Sequence, residues 1–99
     1  MRRAASLLCL IAVACARPTR GECEQVIDRY VDMKVGDDVE VTHAPESARP
    51  EVRDIQKAKK RLEPVYAFRV EQCMREVDSS QLACGRAAPN PNEWEACFH

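Results

Sequence analysis

The sequence predicts an all-α fold: a disulfide-stapled helical hairpin with a long second helix kinked near Pro64, then one or two short C-terminal helices. Three observations carry this. Apolar residues recur at three- and four-residue steps through two long segments, about 22–35 and 50–77, which is the period of a helix face. The only strand-like alternation, Val39-Glu40-Val41-Thr42, is too short to found a sheet. Finally, Cys23, Cys73, Cys84 and Cys97 are spaced to clamp the ends of such a hairpin.

The chain has 99 residues, room for one small domain. It opens MRRAASLLCLIAVAC, where Arg2 and Arg3 form a basic region ahead of the uncharged, largely apolar stretch Ala4 to Ala14. That stretch is too short for a bilayer core, which takes roughly 20 residues, so residues 1–14 read as a signal peptide for Sec-type export. Two cleavage readings remain open. Ile11-Ala12-Val13-Ala14-Cys15 resembles a bacterial lipobox, which would make Cys15 the lipidated first residue and give a stable multi-chain lipid anchor. Ala16 rather than Asp after that cysteine favours the periplasmic face of the outer membrane. The other reading is an A-x-A site at Ala14-Cys15-Ala16, releasing a periplasmic or secreted protein that starts at Arg17. Residues 15–21 then read as a tether and 22–99 as the folded domain.

Within the domain, Cys23, Val26, Ile27, Tyr30, Val31 and Val35 share one face of a first helix at 22–35, and Glu22, Glu24 and Asp28 suit the positive end of its dipole. Residues 36–42 stay open, and His43 to Arg49 form a connection. Pro50 fits a first helical turn. The apolar stripe Val52, Ile55, Ala58, Leu62, Tyr66, Val70, Cys73 and Val77 follows, with Pro64 in its middle. An interior proline costs ~3 kcal/mol, so this helix is kinked there or is two helices, about 50–62 and 64–77. Asp78-Ser79-Ser80 ends it and caps a short helix, about Ser80 to Ala88. Pro89-Asn90-Pro91 breaks that helix, and Asn92 offers a cap for a last one, Glu93 to Phe98. Tyr30, Tyr66, Phe68, Trp94 and Phe98 are the bulky residues of a thin core, which supplies ~3–5 kcal/mol unaided and calls for staples. Trp94 is expected to pack the last helix onto the hairpin.

Of six cysteines, Cys9 leaves with the signal and Cys15 goes to lipid. The four that remain read as two disulfides. An antiparallel hairpin sets the start of its first helix beside the end of its second, which favours Cys23–Cys73 with Cys84–Cys97. The rival is Cys73–Cys84 with Cys23–Cys97. C-x-x-C spacing is absent and His99 is the one histidine near the block, so neither a zinc site nor a redox thiol is expected.

Of 15 Lys and Arg, Arg2 and Arg3 fall in the leader, leaving 13 against 16 Asp and Glu. That acidic balance argues against nucleic acid as a partner. Lys57, Lys59, Lys60 and Arg61 form a basic run, read as a solvated helix face that partly offsets Glu24, Asp28 and Asp32 across the hairpin; its functional reading is contact with anionic lipid or an acidic partner. His43 lies in the polar connection, and Asp37-Asp38 with Glu40 lacks the spacing of a calcium loop. No G-x-S-x-G, H-E-x-x-H or phosphate-cradling loop occurs.

The C-terminal pattern, Cys73, then Cys84 with Ala87-Ala88, then Glu93-Trp94 and Cys97, resembles a family of small cysteine-bearing exported proteins and lipoproteins of myxobacteria and their relatives, with Cys23 as the early cysteine. Gly85, Pro89 and Pro91 depart from that pattern. The resemblance implies export and a helical, disulfide-held architecture, and it carries no catalytic residues.

The expectation is thus a non-catalytic structural or protein-interaction module of the cell envelope, with no cofactor and an envelope protein as partner. The alternative is an inhibitor or immunity-type protein that caps a secreted or periplasmic enzyme through its acidic, proline-bearing loop 36–49.

Overall fold

The computed structural model describes residues 17–98. Residues 1–16, which include the expected signal peptide and the candidate lipidation site Cys15, and His99 lie outside the described residues. Among the described residues the elements are α1 (Arg20–Gly36), α2 (Val39–Thr42), a 3₁₀ turn (Glu46–Ala48), α3 (Arg49–Leu62), α4 (Pro64–Glu76), α5 (Ser79–Ala87) and α6 (Pro91–Ala96). The fold is all-α and held by two disulfides, Cys23–Cys73 and Cys84–Cys97.

α1 is the central element and packs against α3, α4, α5 and α6. It begins earlier than its hydrophobic face suggests. Thr19 caps it: the Glu22 amide donates to the Thr19 hydroxyl at 3.2 Å, and the Thr19 amide donates back to the Glu22 carboxylate at 3.0 Å. This reciprocal box satisfies two amides that a helix start leaves open. The Thr19 N–H and hydroxyl, with Arg86 nearby, hold the Glu22 carboxyl below the usual carboxylate range. The helix therefore starts inside the stretch 15–21 expected as a tether, and Gly21 lies within it. Val39–Thr42, strand-like in sequence, is one helical turn capped by Asp38.

The hairpin's second arm is broken rather than kinked. Glu63 is extended (φ −69°, ψ 138°), ending α3, and Pro64 opens α4. Clash with the proline ring keeps the preceding residue out of the helical region, and proline itself is welcome at a helix start. The break divides the long apolar stripe. Val70, Cys73 and Val77 reach the core, but α3 buries nothing: Ile55 is 49% and Leu62 85% exposed. α3 instead meets α1 through charge. Lys57 contacts Asp32 at 2.9 Å, Arg53 contacts Asp32 at 3.8 Å, and Arg61 contacts Asp28 at 3.0 Å.

α5 starts at Ser79 under an Asp78–Gln81 capping box, and its end is sealed by the Arg29 guanidinium donating to the Ala88 carbonyl at 2.7 Å. α6 is capped by Asn90, not Asn92; Pro91 starts this helix rather than merely ending the one before. Gly85 lets α5 lie against α1: a Cβ there would stand 2.6 Å from Val26 Cγ2 and 2.9 Å from Phe98 Cζ.

The core joins Cys23, Val26, Ile27 and Tyr30 of α1 to Val70 and Cys73 of α4, Leu82 of α5 and Trp94 of α6. The Cys23–Cys73 bridge runs through it, with Cys23 fully buried.

Candidate functional site

The most site-like feature is an open groove bounded by α1, α4 and α6. Its larger part, ≈ 490 Å³, has Val26, Ile27 and Trp94 in its wall and Val65 and Phe68 on its rim. A second part, ≈ 340 Å³, continues toward Tyr30, Lys34, Lys60 and Tyr66. The two share Ile27, Val65 and Arg69.

An aromatic cluster built on α6 shapes the wall. Trp94 stacks on Tyr30 with ring centres 4.3 Å apart and meets Phe98 at 4.4 Å. The Trp94 indole N–H donates to the Val26 carbonyl at 3.0 Å, and the Tyr30 hydroxyl donates to the Glu95 carboxylate. Burial, then the Glu95 carboxylate, push the Tyr30 phenol above its ordinary pKa. Trp94 thus packs α6 onto the hairpin, as its place in the sequence suggests.

Two cations flank the same ring: Arg69 lies 5.8 Å and Lys34 5.9 Å from the Tyr30 centre. Neither is in an ion pair among the described residues. The carboxylates of the groove are engaged, Glu95 by Tyr30 and Glu63 by Lys60 at 3.5 Å. Phe68, counted for the core by its size, is 59% exposed.

The basic run does not form one patch. Lys57 and Arg61 are bound to Asp32 and Asp28, Lys60 to Glu63, and Lys59 is exposed. Asp28 also accepts from the Tyr66 hydroxyl at 2.9 Å; burial first and this carboxylate second push the Tyr66 pKa up to about 12. His43 is exposed at the end of α2, and its backbone amide donates to Val39. The loop 36–49 is ordered: Val41 is buried, Arg49 donates to the Thr42 and Ala44 carbonyls, and Gln56 donates to Glu40. No cluster of three or more His, Cys, Asp or Glu able to hold a metal occurs among the described residues. No helix among them is long and apolar enough to cross a membrane.

The groove was hidden from sequence because its cations, Lys34 and Arg69, lie on different helices. A signal existed on α4: Val65 and Phe68 add a second apolar row beside Tyr66, Val70 and Cys73, more width than one partner helix covers. No family model, curated protein or solved structure matches this chain.

Proposed function

We propose that this protein is an exported envelope lipoprotein, anchored through Cys15 on the periplasmic face of the outer membrane, that works as a non-catalytic protein-interaction module. Two disulfides belong to an oxidising environment, which supports export. The observation that carries the interaction role is the groove itself. It sets Phe68 and Val65 in water beside Tyr30, Trp94 and Arg69. Aromatic residues and arginine are the types that dominate binding hot spots, and apolar surface left open beside them marks contact sites.

A photo-crosslinking residue at position 68 in cells tests this. One dominant protein adduct from position 68, lacking from position 59 on the exposed side of α3, is the expected result. No adduct at position 68 contradicts the reading.

A further inference from the structure

Resting on the interaction-module reading, the groove's chemistry narrows the partner. We propose that the groove receives an amphipathic helical segment of another protein, whose apolar residues lie on Val65, Phe68 and the Tyr30–Trp94 wall and whose carboxylates meet Arg69 and Lys34.

The charge argument is one of remaining capacity. Glu95 and Glu63 already accept from Tyr30 and Lys60, while Arg69 and Lys34 have no carboxylate partner among the described residues. The Tyr30 phenol is neutral and leaves the Glu95 charge in place, so the lining sets Arg69, Lys34 and Lys60 against Glu95 and Glu63, a net of one positive charge. Charge-assisted pairs to carboxylates are among the stronger polar contacts. Both cations lie against the Tyr30 ring, so an incoming carboxylate would arrive beside the apolar floor rather than at a distant rim. Shape favours a helix over a small anionic amphiphile. Small-ligand sites bury most of their ligand, whereas this groove is open along its length and its rim residue Phe68 is 59% exposed. An open apolar trough beside helices is the form in which amphipathic helices are received.

The test uses the purified full-length protein with both disulfides intact. The probes are two synthetic helical peptides of about 15 residues. They share one leucine face, and their flanking positions are glutamate in one and lysine in the other. Binding is read by fluorescence anisotropy of labelled peptide, with sodium decanoate as a third probe. The glutamate peptide is expected to bind about tenfold more tightly than the lysine peptide. Arg69→Glu should reverse that preference, Phe68→Ser should weaken both peptides by about tenfold, and Lys59→Ala should change neither. Phe68 and Arg69 are exposed, so the fold tolerates both changes, and Val65→Glu supplies an independent groove variant.

Equal binding of the two peptides, or a preference that survives Arg69→Glu, overturns the proposal. So does decanoate binding where neither peptide binds. Crosslinking at position 68 separates this failure from that of the broader reading: an adduct mapping to a segment that is neither helical nor acidic overturns only the present inference.

Discussion

The indole N–H of Trp94 donates to the carbonyl of Val26 at 3.0 Å, tying the last helix to the middle of the first. Trp94 also stacks on Tyr30, so one side chain seals α6 and walls the groove. Trp94→Phe keeps most of the packing and loses the hydrogen bond, which should cost ~1 kcal/mol. Trp94→Ala leaves a cavity and should cost ~3–5 kcal/mol. Urea unfolding followed by circular dichroism separates the two, and an alanine variant as stable as the parent would contradict the packing.

Two glycines should respond oppositely to alanine. A Cβ at Gly21 meets nothing closer than the Thr19 hydroxyl at 4.0 Å. Gly21→Ala should stabilise the domain by up to ~1 kcal/mol through helix propensity. At Gly85 the same gain is outweighed by a Cβ 2.6 Å from Val26 and 2.9 Å from Phe98. Gly85→Ala should destabilise by ~1–3 kcal/mol, seen as a lower urea midpoint.

The disulfides should open in order. Cys84 is exposed, whereas Cys23 is fully buried and Cys73 nearly so. Partial reduction followed by alkylation and mass spectrometry should label Cys84 and Cys97 first. Their loss should also matter less: on chain-entropy grounds a bridge across 13 residues is worth about 3 kcal/mol and one across 50 residues about 4 kcal/mol. Equal or reversed labelling would contradict the burial pattern.

Much of this architecture can be read from residue spacing. The face Cys23, Val26, Ile27, Tyr30 and the pair Val70, Cys73 lie in the core because a 3.6-residue period survives in each segment. The pairing Cys23–Cys73 follows from the antiparallel hairpin that those faces build. What escaped was decided by local chemistry or by tertiary juxtaposition. The Thr19–Glu22 box starts α1 ahead of its apolar face. Glu63 breaks the stripe, so Ile55 and Leu62 turn outward although they continue the pattern in sequence. The candidate site was the least legible part, since Lys34 and Arg69 meet only across the Tyr30 ring.

Both tyrosines of the chain are held in their neutral form. Tyr66 is pushed up to about 12 by burial and by Asp28, while an unfolded tyrosine titrates near ~10. A raised pKa favours the protonated phenol in the folded state. Its stabilising share is therefore whole below pH ~10 and is lost as pH rises from there through about 12. Tyrosinate absorbance of the folded protein should lag that of the urea-unfolded chain in an alkaline titration. Coincident curves would contradict the burial; Asp28→Asn should lower the Tyr66 midpoint, and a midpoint unchanged by it would contradict the Asp28 contact.

The domain is held by two disulfides, and the proposal adds export and a lipid anchor at Cys15. Intact mass spectrometry of the protein purified from cell envelopes tests it most directly. The expected result is a chain beginning at Cys15 and carrying acyl groups, with a gain of about 4 mass units on reduction, two per disulfide. A lipid-free chain beginning at Arg17 would contradict the anchor, and a mass unchanged on reduction would contradict the staples.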